Sequence, residues 1–65
     1  MLDLADLIDN HGWKVHAWKL GDLVYVELTS PMGWSTIKTS TSYGHACALA
    51  VDDAKKRIAW LGSTR

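Results

Sequence analysis

The sequence predicts an α+β fold in which a helix, three strands and a second helix follow one another in a single small domain, residues 1–65. Apolar residues recur at helical spacing near both ends of the chain, whereas the middle consists of β-rich runs separated by turn-forming residues. A three-stranded antiparallel sheet needs one covered face to be stable. We therefore expect both helices to pack on one face and to leave the other face open to water or to a partner.

The first helix is predicted over residues 2–11. Side chains recur there at the i, i+3, i+4, i+7 spacing of one helix face, at Leu4, Leu7, Ile8 and His11. Asp3 is a suitable N-cap, and Gly12 stands where a left-handed residue commonly ends a helix. An acidic stripe is expected on another side of this helix, formed by Asp3, Asp6 and Asp9.

Three strands are predicted in the middle of the chain, over residues 13–19, 23–29 and 34–40. The Gly21-Asp22 link is typical of a tight hairpin between the first two strands. Pro31 indicates a turn between the second and third.

The closing helix is predicted over residues 43–61, with Ser42 as its N-cap and Gly62 as its end. Its apolar stripe consists of Cys47, Ala50, Val51, Ala54, Ile58 and Leu61. Two acid-first pairs at i, i+4 spacing support the helix: Asp52 with Lys56, and Asp53 with Arg57.

Alternation along the strands divides the side chains between the two faces of the sheet. The helices are expected to cover the small aliphatic set Val15, Ala17, Val24, Val26, Leu28 and Ile37. The open face then collects His16, Trp18, Tyr25 and Trp34, edged by Lys14, Glu27 and Lys38. Two other interpretations stay open: cross-strand aromatic pairs that only stabilise the sheet, and a strand register shifted by one residue, which would exchange the faces.

Large exposed apolar patches mark interaction sites, and Trp and Tyr are enriched among binding hot spots. The predicted partner-binding residues are therefore Lys14, His16, Trp18, Tyr25, Trp34 and Lys38. The partner is expected to be a protein, either a second copy in a homodimer or a host protein. The alternative is a single-stranded nucleic acid whose bases stack on the same aromatic side chains.

Catalysis and metal binding find little support in the sequence. Cys47 follows His45 by two positions, and residues at that spacing on a helix do not face each other. Cys47 is instead expected to be a buried structural thiol. The three histidines match no familiar metal-ligand spacing. We predict no enzyme activity, no metal site and no cofactor.

Composition narrows the class of partner and the compartment. The chain has 7 Lys plus Arg and 7 Asp plus Glu, so its net charge of zero argues against a dedicated polyanion binder. The single cysteine forms no internal disulfide. Without a long apolar run or a signal-peptide pattern, we expect a cytoplasmic protein without a membrane contact.

The order of the elements resembles the double-stranded-RNA-binding domain over nearly the whole chain. That family contacts RNA through its first helix, the loop between its first two strands and a lysine cluster that opens its last helix. Here the first helix is acidic, the loop is only Gly21-Asp22, and the last helix opens with Tyr43-Gly44-His45-Ala46. The resemblance implies a shared fold without the RNA-binding function.

A second resemblance is to small phage-encoded α-β-α proteins. It rests on Gly33-Trp34 at the start of a strand and on an alanine-rich closing helix, Ala46-Cys47-Ala48-Leu49-Ala50. It implies a stand-alone, non-enzymatic protein that binds a host protein, for example as an inhibitor or modulator with an anti-defence role.

Overall fold

The computed structural model describes residues 3–63 and has the predicted α+β architecture. Its elements are α1 (Leu4–His11), β1 (Lys14–Leu20), β2 (Leu23–Thr29), β3 (Ser35–Ser40) and α2 (Tyr43–Ser63). The strands form one antiparallel sheet in the order β1-β2-β3. The bounds of β2 are those predicted, and the other elements differ at their ends. Residue 2, the predicted start of the first helix, lies outside the described residues.

The capping residues of α1 act as the sequence predicts. The Asp3 side chain accepts a hydrogen bond of 2.9 Å from the backbone N–H of Asp6. Gly12 ends the helix in the left-handed region at φ 73°, and its N–H donates to the carbonyl of Leu7. A Cβ at this glycine would meet Pro31 Cγ at 3.1 Å, so α1 ends close to the β2–β3 loop.

The start of α2 agrees with the prediction and its end does not. Ser42 caps the helix, because its Oγ accepts a 3.2 Å hydrogen bond from the backbone N–H of His45. The helix continues through Gly62 to Ser63, so Gly62 does not end it.

The hydrophobic core lies between the helices and one face of the sheet. Alternate residues of β2 form its floor, and α2 places three fully buried small side chains against them, Ala46, Ala50 and Ala54. These small residues let the helix axis approach the sheet closely. Leu7 of α1 is also fully buried in this cluster, so both helices contribute to the same face.

The predicted facing of the third strand is wrong. Lys38 pairs with Val26 and Thr36 with Leu28, so both lie on the helix side with the buried residues of β2. Ile37, predicted to be covered by the helices, pairs with Glu27 on the other face and is 52% exposed. The reason is the length of the β2–β3 loop, which fixes the register of the hairpin.

The loop that sets this register spans residues 30–34. It is closed by hydrogen bonds from Ser30 N to Trp34 O at 2.7 Å and from Gly33 N to Ser30 O at 3.0 Å. Thr29 therefore pairs with Ser35, and residues of equal parity in β2 and β3 share a face.

The first strand is on the predicted side but remains uncovered. Val15 and Ala17 pair with Leu28 and Val26 and so belong to the helix side. Val15 is nevertheless 40% exposed, and Ala17 is exposed, because α2 packs on β2 and β3.

Candidate protein-binding surface

The face of the sheet opposite the helices is called the open face here. Its residues follow from the strand pairings: Lys14, His16, Trp18, Leu20, Leu23, Tyr25, Glu27, Thr29, Ser35, Ile37 and Thr39. The buried cluster that joins the helices to the sheet uses the alternate residues of β2 on the other side. The open face is thus the surface that the sequence predicts as a binding site, with a changed set of residues.

A row of three aromatic rings crosses the open face from β1 to β2. The His16 and Trp18 ring centroids are 4.9 Å apart, and the rings are tilted by 39°. Trp18 and its cross-strand partner Tyr25 are stacked, with centroids 5.5 Å apart and an interplanar angle of 6°. Such a pair contributes about 0.5–1.5 kcal/mol beyond its buried area. The stacking geometry therefore supports the alternative interpretation that these rings stabilise the sheet, and it does not exclude a binding role.

Exposed aliphatic side chains surround the aromatic row. Leu20 is 63% exposed and Leu23 is 40% exposed, and they pair with each other next to the β1–β2 turn. Ile37, on the other side of the row, is 52% exposed. None of these three residues is among the predicted partner-binding residues. Alternation along β1 and β2 is enough to place Leu20 and Leu23 on the same face as Trp18. Placing Ile37 on that face also requires the register between β2 and β3.

The predicted partner-binding residues do not all share this face. Lys14, His16, Trp18 and Tyr25 lie on it. Trp34 and Lys38 do not, and for these two residues the predicted placement is wrong. The open face consequently carries one lysine and one glutamate, Lys14 and Glu27.

Lys38 is held on the helix side by an acidic residue of α2. Its Nζ lies 3.0 Å from Asp53 Oδ2, and the Thr36 hydroxyl donates to the same oxygen at 2.8 Å. The hydrogen bond from Thr36, followed by that from Lys38, lowers the pKa of Asp53 below its ordinary value. The predicted pair between Asp53 and Arg57 is replaced by this cross-element bridge, whereas the predicted pair between Asp52 and Lys56 forms at 3.2 Å.

Trp34 is part of the packing under α2. It is half-buried against the core cluster and meets the buried Trp13 edge to face, with ring centroids 5.9 Å apart. The Arg57 guanidinium lies over its ring, 5.5 Å from the centroid. The Trp34 ring therefore contributes to packing within the fold and not to the open face.

His45 and Cys47 make local structural contacts. His45 Nδ1 lies 2.7 Å from Ser40 Oγ, a contact between the start of α2 and the end of β3. Cys47 is half-buried at the edge of the core rather than fully buried. Among residues 3–63, no group of three or more His, Cys, Asp and Glu side chains is arranged to hold a metal ion.

Comparisons of this chain with protein-family models, with curated proteins and with solved structures find no match. In the described part of the chain, neither helix has the length and apolar character needed to cross a membrane.

Proposed function

We propose that this chain is a non-catalytic protein-interaction module that binds its partner through the open face. The observation that carries the proposal is the aromatic row of His16, Trp18 and Tyr25 on a face that the helices leave bare. Exposed apolar side chains beside these rings extend the patch. A contiguous apolar patch with aromatic anchors is typical of protein-binding surfaces.

The charges of the open face favour a protein over a nucleic acid. Base stacking on a sheet is normally accompanied by cations that follow the phosphate backbone. Here Lys38 is bound to Asp53 on the opposite side, and the remaining Lys14 is offset by Glu27. Trp18 and Tyr25 also stack on each other, so part of each ring face is already used.

The edge of β1 indicates a second copy of the chain as the partner. β1 is an edge strand that α2 does not cover, and its residues apart from Trp18 are exposed. An uncovered edge strand presents unpaired backbone groups that can pair with another strand. The open face and this edge meet along β1, so one partner can contact both.

The sequence of β1 is compatible with antiparallel pairing to itself. Pairing about Ala17 places His16 opposite Trp18 of the second copy, and Lys14 opposite Leu20 of the second copy. Lys19 then lies opposite Val15, so neither lysine faces another lysine directly. Like charges directly opposite each other would have disfavoured this register. The aromatic rows of the two copies would become neighbours.

Sedimentation of the purified chain over a range of concentrations tests this proposal, together with a Trp18→Ala variant. We expect concentration-dependent dimerisation in the unmodified chain and its loss in Trp18→Ala, with helix and strand content retained by circular dichroism. Met32→Ala is the matched control, because Met32 is an apolar side chain that is 91% exposed in the β2–β3 loop. This control should dimerise normally.

Three outcomes would contradict the proposal. Unfolding of Trp18→Ala would assign the aromatic row to sheet stability. A chain that stays monomeric would exclude the second copy, and would favour the host-protein target that the resemblance to small phage-encoded inhibitors implies. Salt-sensitive quenching of tryptophan fluorescence by a single-stranded oligonucleotide would favour the nucleic-acid alternative.

A further inference from the structure

A small cavity lies on the helix side of the molecule, between the β2–β3 loop and the C-terminal half of α2. Its volume is about 270 Å³. Most of its walls are apolar, and are formed by Trp13, Pro31, Met32, Trp34, Ile58 and Leu61. Of the described residues that line it, Arg57 is the one with a charged side chain. It shares no lining residue with the open face.

The Arg57 guanidinium is held by contacts with two aromatic rings. It lies over the rings of Trp34 and Trp60, 5.5 Å and 4.9 Å from their centroids. Asp53, the acid one helical turn before Arg57, forms a salt bridge with Lys38 and accepts a hydrogen bond from Thr36. Among residues 3–63, no carboxylate lies within ion-pair distance of Arg57.

One donor of this guanidinium is buried and finds no acceptor within residues 3–63. Arg57 Nε is inaccessible to solvent and has no hydrogen-bond partner among the described residues. A buried donor on a charged group that lacks an acceptor is costly, and such groups in native proteins call for a physical explanation. An anionic ligand in the cavity can provide the acceptor once the Arg57 side chain turns enough to expose Nε.

A second donor lines the same cavity. Ser30 Oγ accepts a 3.0 Å hydrogen bond from the backbone N–H of Trp34, which leaves the hydroxyl hydrogen of Ser30 able to donate. The polar groups of the cavity thus combine a cation and a hydroxyl donor among apolar walls.

We infer that this cavity binds the carboxylate of a small ligand with an apolar body. A guanidinium matches a carboxylate in charge and in planar geometry. A phosphate dianion would keep an uncompensated charge among apolar walls, because one arginine neutralises only one charge. A cationic ligand is disfavoured, because Arg57 itself occupies the ring faces of Trp34 and Trp60.

The size of the cavity limits the ligand. A volume of about 270 Å³ falls just below the range of about 300–1,000 Å³ that is common for small-molecule pockets. One aromatic ring or one short branched chain with its carboxylate fits this space. Such a group occurs in a free aryl or alkyl carboxylic acid and at the C-terminus of a peptide, and both sources present the same chemistry.

Titration of the unmodified chain with phenylacetate, followed by NMR, tests this inference. We expect saturable shifts of the Arg57 Nε–H signal and of the Trp13 and Trp34 indole N–H signals. Phenylacetamide has nearly the same shape without the charge, and should bind at least about tenfold more weakly because it lacks the charged hydrogen bond. Equal responses to the acid and the amide, or no saturable response to any carboxylate, would overturn the inference.

A second pair of probes separates the two sources of carboxylate. Acetyl-Ala-Phe with a free C-terminus is compared with its C-terminal amide. Saturable binding of phenylacetate assigns the site to free acids, whereas saturation by the peptide acid alone assigns it to a chain terminus. Either result supports the carboxylate site.

The variant Arg57→Lys tests the role of the guanidinium. It keeps the positive charge but removes the planar fork and Nε, so the affinity for phenylacetate should fall at least about tenfold. Lys55→Arg, the reverse exchange at an exposed position of α2, should leave that affinity unchanged. Undiminished binding by a folded Arg57→Lys variant would contradict the assignment. If that variant does not fold, the comparison of acid with amide on the unmodified chain decides.

Discussion

β1 and β3 are the two edge strands of the sheet, and of these two it is β3 that α2 packs against. The helix-side residues of β3 include Thr36 and Lys38, which bind Asp53 of α2. The helix-side residues of β1 include Val15 and Ala17, which remain exposed. The polar edge is thus covered, whereas the more apolar edge is bare. Which edge strand α2 covers is therefore determined by the position of the helix and its polar contacts, and not by the hydrophobicity of the strand.

The lengths of the helices explain this difference. α2 has 21 residues and crosses β2 and β3, whereas α1 has 8 residues and places Leu7 as its fully buried side chain in the core. A helix of this length cannot also shield β1. Val15 and Ala17, on the helix side of β1, therefore stay exposed beside the β1 edge at which we propose that a second copy pairs.

The largest expected difference between the two sides of the sheet is in the stability effect of removing a tryptophan. Trp34→Ala removes the contacts with Trp13 and Arg57 and should lower the free energy of unfolding by about 3 kcal/mol. Trp18→Ala removes the stacking on Tyr25 and should cost about 1 kcal/mol. Urea denaturation followed by circular dichroism measures both. Equal losses would mean that the open face is as much a part of the folded core as the helix side.

A lysine introduced at the β1 edge sharpens the comparison in terms of association. Ala17→Lys places like charges opposite each other in the proposed antiparallel β1 pair, and should weaken self-association at least about tenfold. Ala59→Lys adds the same charge at an exposed alanine of α2, outside both the open face and the β1 edge, and serves as the matched control. Analytical ultracentrifugation compares the dissociation constants. A similar effect of both variants would show that charge alone, and not the β1 edge, controls association.

The smallest expected effect concerns the bridge that ties β3 to α2. Asp53→Asn should lower the free energy of unfolding at neutral pH by about 0.5 kcal/mol, because the pair with Lys38 is partly exposed to solvent. The folded-state pKa of Asp53 is below its ordinary value of 3.8, so the bridge stabilises the fold fully above that pH. Its contribution is lost as the pH falls through the lowered pKa. The stability difference between variant and unmodified chain should vanish there.

A matched acid on the same helix provides the control for this last effect. Asp52 forms an exposed pair with Lys56 within α2. Asp52→Asn should therefore change the stability less than Asp53→Asn does across the same pH series. A larger loss for Asp52→Asn would contradict the role assigned to the bridge between β3 and α2.

Local signals in the sequence predict most of the fold. Asp3 and Ser42 cap the helices, Gly12 adopts the left-handed conformation, and β2 has the predicted bounds. Each of these features depends on a residue and its near neighbours, or on a clear alternation. On β1 and β2 the same alternation places His16, Trp18 and Tyr25 on one face, as the structure shows.

The facing of β3 could not be derived in the same way. Its two alternating sets are both mixed, since one contains Ile37 between small polar residues and the other contains Thr36 and Lys38 after Trp34. The prediction that the aliphatic residue Ile37 faces the helices is therefore wrong. The outcome depends on the number of residues in the 30–34 loop, and a change of one residue in register exchanges every side chain of the strand. The cavity beside Arg57 also depends on this register, because it brings Trp34 under α2.

The sequential order β1-β2-β3 has a consequence for the rate of folding. Each strand pairs with its neighbour along the chain, and the connections are short. Closing each loop therefore costs little chain entropy. Mixed folds dominated by such near-neighbour contacts reach the native state faster than sandwiches or barrels built from distant segments. The hairpins can therefore nucleate before α2 docks, and the burial of Val26 and Leu28 against its alanines is expected to be the step that commits the chain to its native state.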